Sequence, residues 1–290
     1  MKVFIVGATG VIGRDLVPRL LARGDSVVAL VRSRERAARV LGAGVELHEG
    51  DLLAESPDRL RAMLAGCDAA AHMATALRPG SPGFGTTNTN EVLRIEGTRR
   101  LLDAALAAGV RRYVTQSIAF AYADRGEEWI DEATPLAAPE AGRGMSRPIV
   151  EMEGMVRATD PARASWCILR GGSFVGPDTR QDETVERLRA GSLKVPGDGS
   201  NWVSLVHVAD YATAVDLALH SSVTGIFNVN ADPMRNGGYL DRLADVVGAP
   251  RPQRDPEAPL PRSFRCSNAA VRTALGWSPS HSLFAEQAPS

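Results

Sequence analysis

The sequence predicts an α/β protein: a doubly wound parallel sheet with helices on both faces, followed by a smaller C-terminal lobe. Short runs rich in Val and Ile alternate with longer amphipathic segments, which is typical of successive βαβ units. The first apolar run is followed at once by a glycine-rich turn and a helical segment. With 290 residues, of which 44% are hydrophobic, the chain can form a sizeable core.

Six apolar runs are predicted as the strands of this sheet. Their residues are 3–6, 27–31, 45–48, 69–72, 112–117 and 167–169. Segments with helical periodicity include residues 11–22, 91–108 and 149–158, and Pro18 is expected to notch the first helix. Residues 78–89 are dense in Gly, Pro, Ser and Thr, which predicts a mobile surface loop.

The βαβ pattern weakens after Gly171. A shorter set of strands and helices at residues 202–219, 226–230 and 239–247 indicates the smaller lobe, and a tail rich in Pro and Arg follows it. We therefore expect a first domain at residues 1–170 and a substrate-binding lobe at residues 171–290 that is interleaved with it.

Composition and charge exclude several classes of function. The 33 basic and 34 acidic residues leave a formal net charge of -1, so no global field favours nucleic acid or an anionic membrane, and a small-molecule substrate is the expected partner. Cys67, Cys167 and Cys266 are widely spaced, which argues against disulfides and a zinc site and fits a reducing cytoplasm. The N-terminal apolar run is too short for a targeting signal.

The glycine-rich turn is Gly7-Ala8-Thr9-Gly10-Val11-Ile12-Gly13. It joins a strand to a helix, so backbone N–H groups at the helix N-terminus would face an anion without side-chain obstruction. The turn lacks the Gly-Lys-Ser/Thr ending of a nucleoside-triphosphate loop. It therefore predicts a Rossmann-type dinucleotide site; the alternative is a tight turn that binds no ligand.

The end of the second strand bears on which dinucleotide binds. An NAD site usually places a carboxylate there for the ribose hydroxyls, whereas the 2′-phosphate of NADP requires a cation. The sequence has Arg32 at this point, and Asp25 lies at the other end of the strand. NADP(H) is therefore favoured, with NAD(H) possible; the alternative is that Arg32 is an ordinary surface arginine.

Taken together, these motifs resemble the short-chain dehydrogenase/reductase superfamily, in its extended or atypical branch. The resemblance runs along nearly the whole chain and rests on the order of several short motifs. After the glycine turn these are Gly50-Asp51-Leu52, Ala71-His72-Met73-Ala74, Glu96-Gly97-Thr98, Leu169-Arg170-Gly171-Gly172, Val175-Gly176-Pro177, Val206-His207-Val208-Ala209-Asp210 and Leu275-Gly276-Trp277-Ser278-Pro279.

The resemblance implies a cofactor site and fits the fold class already expected. In the family, the position of Asp51 meets the adenine amine. The residues expected to contact the cofactor are Gly7, Thr9, Gly10, Val11, Ile12, Gly13, Arg32, Asp51, Leu52, Met73, Ala74, Thr75, Gln116, Gly171, Gly172 and Ser173.

The family's catalytic pair is missing. Relatives have a Tyr and, four residues later, a Lys on one face of a helix, where the Lys lowers the pKa of the Tyr so that it can transfer a proton. The residues matching these positions are Met145 and Ile149, or Arg143 and Arg147 if the alignment shifts by two. No tyrosine in the chain is followed by a lysine at this spacing.

Other parts of the family's proton machinery are also changed. Of two adjacent serines at the end of the fifth strand, Ser117 is retained and the second position holds Ile118, while Arg94 stands where the family has an Asn. Ser117 and Tyr122 are the remaining catalytic candidates. Either could instead be structural, with Ser117 capping its strand and Tyr122 simply buried.

The substrate pocket is expected to be rather apolar. Its candidate residues are Met145, Phe174, Trp202 and His207, although core roles are equally compatible with the sequence. The histidines show no metal-ligand spacing, so no metal site is expected.

Three functions remain open. The first is an NADP(H)-dependent oxidoreductase acting on a small, rather apolar metabolite, in the manner of specialised metabolism. The second is a non-redox dehydratase, isomerase or cyclase with a structural or vestigial dinucleotide site, and the third is a dinucleotide-binding sensor. A monomer or a homodimer is expected in each case.

Overall fold

The computed structural model of the protein describes residues 1–76, 88–138 and 146–284. It confirms the predicted fold class, because seven parallel strands form one sheet with helices on both faces. Residues 78–87 of the predicted mobile loop, and Met145 and Arg143, lie outside the described residues.

The bounds of the strands follow the predicted apolar runs closely. In chain order they are β1 (Lys2–Val6), β2 (Ser26–Val31), β3 (Val45–Glu49), β4 (Ala69–His72), β5 (Arg112–Ile118), β6 (Ser165–Gly171), β7 (Ser173–Val175), β8 (Lys194–Pro196), β9 (Trp202–Val203), β10 (Leu205–His207), β11 (Gly225–Val229), β12 (Met234–Arg235) and β13 (Gln253–Asp255).

The described helices connect these strands. They are α1 (Val11–Ala22), α2 (Arg34–Leu41), α3 (Pro57–Met63), α4 (Asn88–Val92), α5 (Thr98–Ala107), α6 (Ser146–Arg157), α7 (Arg180–Arg189), α8 (Val208–Leu219), α9 (Asn236–Val246) and α10 (Ala269–Leu275), with a π-helical turn at Leu93–Gly97 and a 3₁₀ turn at Ala119–Ala121.

The main sheet has the strand order β11-β6-β5-β4-β1-β2-β3. The order reverses direction between β1 and β4, and in open α/β sheets a crevice forms at such a point beyond the carboxyl ends of the strands. The glycine turn after β1 and residues 73–76 after β4 both face this crevice.

Alternation along the strands builds a separate core on each face of the sheet. Val3 and Ile5 pack with α1 and α8 on one face, whereas Phe4 and Val6 pack with α3, α5 and α6 on the other. Because these side chains are almost fully buried, each contributes about 1.5–3 kcal/mol of hydrophobic stabilisation.

A third apolar core lies in the C-terminal part of the chain. It includes Val195, Leu205, Tyr239 and Leu243, and three two-stranded sheets surround it: β7 with β10, β8 with β13, and β9 with β12. Strand β11 nevertheless returns to the main sheet beside β6. The division at residue 170 stays a prediction.

Several local features differ from the predicted ones. Helix α1 continues through Pro18. The segment predicted as one helix at residues 91–108 is interrupted by the π-helical turn, and α6 begins at Ser146 rather than at residue 149. All three cysteines are free and buried, in agreement with the expected absence of disulfides.

Candidate functional site

Close backbone packing shapes the glycine turn. Gly7 has a φ of +95°, and a Cβ on it would lie 2.6 Å from the backbone N of Ala74. A Cβ on Gly13 would lie 2.3 Å from the carbonyl oxygen of Ala8. Both positions therefore require glycine for the fold itself.

Gly10 is different, because the protein leaves space around it. Its φ is -78°, and a Cβ there would meet only the carbonyl oxygen of Gly7, at 3.3 Å. Thr9 and Gly10 are exposed, Val11 is half-buried, and Ile12 is buried in the core. Gly10 is thus exposed and less crowded than Gly7 and Gly13, so a ligand can approach its backbone.

The N-terminus of α1 is prepared for an anion. Gly10 is the N-cap residue, no side chain caps the helix, and its first turn contains no acidic residue. The N–H groups of the first turn, together with the helix dipole, therefore favour a phosphate group.

Arg32 lies immediately after β2 and is exposed. It forms no salt bridge with any residue of the described segments, whereas the guanidinium of Arg34 donates to the carbonyl oxygen of Leu47 at 2.6 Å. The neighbouring Ser33 accepts a hydrogen bond from the backbone N of Arg36 and caps α2. Arg32 is thus a cation at the strand end without a partner among the described residues.

The expected adenine-side residues follow β3 and β4. Asp51 is exposed, and its Oδ1 accepts a hydrogen bond from the backbone N of Leu53 at 2.9 Å. Leu52 and Met73 are buried, while Ala74 and Thr75 are half-buried. These residues border the crevice, and their contacts with a cofactor stay a prediction.

Further expected cofactor residues lie at the ends of β5 and β6. Gln116 is 7% exposed, and its Oε1 is buried with no hydrogen-bond partner in the described segments. Gly171 lies against the rings of Tyr211 and Phe174. The backbone N of Gly172 donates to the carbonyl oxygen of Val229, and that of Ser173 donates to the carbonyl oxygen of Ser204.

The Ser117 side chain is fully buried beneath the carboxyl edge of the sheet. Its hydroxyl donates to Glu153 Oε1 at 2.6 Å. Glu153 in turn forms a bidentate salt bridge with Arg170, with N–O distances of 2.6 and 3.0 Å. Ser117 therefore belongs to a buried network, and its catalytic role stays a prediction.

Tyr122 belongs to the same network. Its hydroxyl accepts from Arg170 at 2.6 Å and donates to the side-chain oxygen of Asn228 at 2.9 Å. Burial raises the pKa of the Tyr122 phenol well above its ordinary value, with Arg170 only partly opposing this. The phenol is neutral and held at both sides, and a catalytic role for it stays a prediction.

Ile118 and Ile149 lie in one buried apolar cluster with Ala121 and Met152. Ile118 is 6% exposed and Ile149 is fully buried. Phe120 and Leu136 pack against the same cluster. Ile118 and Ile149, which the first of the two alignments matches to the family's second serine and lysine, thus belong to one apolar cluster, and the alignment itself stays a prediction.

Phe174 and His207, two of the predicted pocket residues, each pack against another ring. Phe174 is half-buried and packs edge-to-face on Tyr211, with ring centroids 5.0 Å apart. His207 accepts a hydrogen bond from the backbone N of Ala209 through Nδ1, which caps α8, and its ring stacks on that of His281.

Trp202 lies in an aromatic and arginine stack on the C-terminal part of the chain. Its ring is between the guanidinium groups of Arg235 and Arg265, at 4.0 and 4.3 Å, and its Nε1 donates to Glu127. A role for Phe174, Trp202, His207 and Met145 in substrate binding stays a prediction.

Three charged residues had no assigned role in the sequence analysis. Arg94 is buried in the π-helical turn, and Glu153 and Arg170 form the buried salt bridge. The signals in the sequence were only indirect, because Arg94 stands where the family has an Asn and Arg170 belongs to one of the short family motifs. Among the described residues, no group of three His, Cys, Asp or Glu side chains could hold a metal ion.

Residues 3–230 match the NAD dependent epimerase/dehydratase family. The chain belongs to this family. The match agrees with the resemblance to extended short-chain dehydrogenases/reductases, and the glycine turn, β4 end and β5 end described above lie within it.

The proteins similar to this chain include several that are named as reductases. The 3-diazoavenalumate denitrifying reductase of Streptomyces sp. is 38% identical over 305 aligned positions, which cover 97% of either chain. The 4-hydroxy-2-methyl-3-oxo-4-farnesyl-3,4-dihydroquinoline-1-oxide ketoreductase of Stigmatella aurantiaca is 29% identical over 256 positions, covering 86% of this chain and 74% of that protein.

Solved structures share the family's fold. DesIV, a dTDP-glucose 4,6-dehydratase from Streptomyces venezuelae with NAD and TYD bound, has a TM-score of 0.80 and 23% identity, with 97% of this chain and 93% of that chain covered. The UDP-glucose 4-epimerase of Thermotoga maritima with UDP-glucose has a TM-score of 0.81 and 18% identity, with 98% of this chain and 95% of that chain covered.

In the described part of the present chain, no helix is long and apolar enough to span a bilayer.

Proposed function

We propose that the protein is a reductase that binds NADPH and delivers hydride to a small acceptor which needs no proton from the enzyme. The observation that carries this proposal is the contact cluster of Ile118 and Ile149, because it leaves the family's proton-transfer positions apolar. The glycine turn and Arg32 support the identity of the cofactor, and the name of a similar protein supports that of the acceptor.

The residues of the crevice fit a nicotinamide dinucleotide. The uncapped first turn of α1 suits a diphosphate, and the space beside Gly10 admits its oxygens. The unpartnered Oε1 of Gln116 can accept a hydrogen bond from the ligand at the end of β5. When bound, the reduced nicotinamide would supply the hydride.

The preference for NADP(H) rests on Arg32. An exposed guanidinium at the end of β2, with no carboxylate paired to it in the described segments, suits the 2′-phosphate. A site for NAD(H) would favour a carboxylate at this position.

The relative from Streptomyces sp. suggests the class of acceptor. Its name gives a diazo compound as the substrate of a denitrifying reductase. We infer that the present protein likewise acts on a small aromatic diazonium compound. Such an acceptor explains why the loss of the Tyr and Lys positions is compatible with reduction.

The atoms and electrons of this reaction balance without a proton donor. Hydride adds to the terminal nitrogen of the diazonium cation and gives a neutral aryl diazene. The carbon–nitrogen bond and the new N–H bond then break, a C–H bond forms, and N₂ leaves. A carbonyl acceptor, in contrast, would need a proton on its oxygen, for which Ile118 and Ile149 supply nothing.

The protein's own contribution is orientation and exclusion of water. The apolar cluster around Ile118 gives the cation no nucleophile to react with, and a diazonium ion in water is lost to hydrolysis. The buried network of Ser117, Glu153 and Arg170 fixes the end of β5.

The experiment uses NADPH and the diazonium salt of 3-aminocinnamate. We expect one NADPH to be consumed for each cinnamate and N₂ formed, at rates well above those without protein or with Gly10→Val. Cofactor binding without consumption of NADPH in the presence of the diazonium salt would contradict the proposed reaction. It would instead favour the non-redox or sensor alternatives.

A further inference from the structure

Arg94 is the least expected charge in the molecule. Its side chain is 4% exposed, and its Nη2 is buried with no hydrogen-bond partner among the residues that the structure describes. An arginine is seldom buried unless its guanidinium is paired. Arg94 also lies in the π-helical turn at Leu93–Gly97, and such turns occur often at functional sites.

The neighbours of Arg94 place it near the carboxyl ends of the central strands. It interacts electrostatically with Glu153 of α6 and Tyr211 of α8, and its charge acts on His72, the last residue of β4. The π-helical turn packs against α6, and a Cβ on Gly97 would lie 3.4 Å from His72 Nε2. Arg94 is therefore at the carboxyl edge of the central strands, where the crevice lies.

Among the described residues, Glu153 is the carboxylate whose charge acts on Arg94, and Glu153 is shared with Arg170. Both carboxylate oxygens of Glu153 bind Arg170, and one also accepts from Ser117. Burial, with a smaller effect of Arg94, lowers the pKa of His72 to about 4, so this imidazole is neutral. Two guanidinium groups thus face one carboxylate, which leaves a net positive charge under the crevice.

Glu132 is another acid of this network in the described part of the chain, and it is not among the groups whose charge acts on Arg94. Glu132 accepts a hydrogen bond from the backbone N of Asn228 at the far end of the network and acts weakly on Arg170. The pKa of its carboxyl is raised by burial. Glu132 therefore does not supply the counter-charge that Arg94 lacks.

We propose that Arg94 donates to the nicotinamide end of the bound cofactor and that its buried charge makes the site prefer the reduced cofactor over the oxidised one. This rests on the proposed cofactor. The oxidised nicotinamide ring carries a positive charge and the reduced ring none, so a fixed cation below the ring disfavours only the oxidised form. For charges roughly 8 Å apart in a protein interior, this gives a preference on the order of tenfold or more.

Tighter binding of NADPH than of NADP⁺ favours the direction in which the substrate is reduced. A site that holds NADPH and releases NADP⁺ favours reduction and speeds the exchange of the spent cofactor. The charge also replaces, from the π-helical turn, the cation that relatives carry at the position of Ile149 on α6. Arg94 is thus a specificity-determining residue that the family pattern does not predict.

The test measures the dissociation constants of NADPH and NADP⁺ by calorimetry, with no substrate present. Because both cofactors carry the same 2′-phosphate and diphosphate, their ratio reports only on the nicotinamide end. We expect the wild type to favour NADPH by about tenfold or more, Arg94→Lys to retain most of this, and Arg94→Met and Arg94→Asn to lose most of it. Arg99→Met is the matched control, since Arg99 lies five residues after Arg94, at the start of α5, and its side chain is exposed.

The outcomes separate the inference from the proposed function. If the wild type binds neither cofactor, the proposed function fails. If both bind and the ratio is unchanged in Arg94→Met and Arg94→Asn, the role of Arg94 is overturned. A purely structural role would weaken both cofactors equally and lower the melting temperature. The proposal instead expects the cofactor-free melting temperature to rise in Arg94→Met, because an unpaired buried charge is removed.

Discussion

Ile118 at the end of β5 packs in the same buried cluster as Ile149 of α6. The resemblance matches these positions to the second serine and, in the first of its two alignments, to the lysine of the family's proton-transfer machinery. Both side chains are apolar and belong to one packed cluster, so this part of the core offers no group that could carry a proton.

Gly10→Val should abolish cofactor binding and leave the protein folded, since the added Cβ would contact the carbonyl oxygen of Gly7 at 3.3 Å and the φ of Gly10 is negative. We expect a melting temperature modestly below that of the wild type and no binding of NADPH. Gly13→Val is the contrasting variant, because its Cβ would lie 2.3 Å from the carbonyl oxygen of Ala8 and the protein should be strongly destabilised. Normal NADPH binding by Gly10→Val would show that the turn does not hold a diphosphate.

Arg32→Asp should weaken NADPH binding by about 1–3 kcal/mol through the loss of a charge-assisted hydrogen bond. Binding of NADH should change much less, or improve. Arg39→Asp serves as the control, because Arg39 is exposed on the following helix and pairs with Glu35. Titration of both cofactors decides the matter, and tighter binding of NADH than of NADPH by the wild type would contradict the assigned preference.

Ser117→Ala should affect stability more than chemistry. The lost hydrogen bond to the Glu153 carboxylate is buried, so the free energy of unfolding should fall by about 1–3 kcal/mol. The rate of hydride transfer at saturating substrate should stay within a few-fold of wild type. A loss of several hundred-fold in this rate with a modest loss of stability would restore Ser117 as a catalytic residue.

The strands were predictable because long stretches of buried Val, Ile and Ala leave few alternatives to a parallel sheet. The predicted run at residues 27–31 and the observed Ser26–Val31 differ by a single residue. The glycine turn was predictable for a similar reason, since Gly7 and Gly13 are fixed by backbone contacts within a few ångströms. Elements whose conformation depends on neighbouring residues in the sequence could therefore be predicted from the sequence.

Arg94 and Trp202 were not predictable in this way, because their environments come from distant parts of the chain. An arginine in a helical segment is ordinarily exposed, yet the π-helical turn directs Arg94 inward toward β4 and α6. The guanidinium groups of Arg235 and Arg265 lie over the ring of Trp202, and its expected place in the substrate pocket stays a prediction. Neither arginine is adjacent to Trp202 in sequence.

His72 should make stability depend on pH below neutrality. Burial lowers its pKa in the folded protein to about 4, whereas in the unfolded chain it is about 6.5. As the pH falls through this window, the unfolded chain takes up a proton that the folded protein does not, so stability decreases. The contribution is complete above about pH 6.5 and lost toward pH 4, and it amounts to about 3 kcal/mol.

The measurement for His72 is the free energy of unfolding in urea between about pH 7 and 5. His72→Gln should show a smaller slope than the wild type. His48→Gln is the control, since His48 is partly exposed beside Glu46 and its replacement should leave the slope nearly unchanged. Equal slopes in wild type and His72→Gln would mean that this imidazole is not buried as described.

The apolar cluster should finally be visible in the pH dependence of hydride transfer. With Ile149 in place of the lysine, no phenol near the ring is held at a depressed pKa, and the pKa of Tyr122 is raised instead. The single-turnover rate of NADPH consumption should therefore be flat with pH, up to the point at which hydroxide adds to the diazonium substrate.

The matched variants compare Ile149→Lys with Ile149→Met. The lysine would enter a fully buried apolar cluster, and Glu153, one turn along α6, is already bound to Arg170 and Ser117, so the lysine should cost several kcal/mol of stability; the methionine should cost less than about 1.5 kcal/mol. Ile149→Lys should not create ketoreductase activity, because the cluster supplies no hydroxyl for it to activate. A wild-type rate profile with one ionisation near neutrality, lost in Tyr122→Phe, would show that the protein retains a proton donor after all.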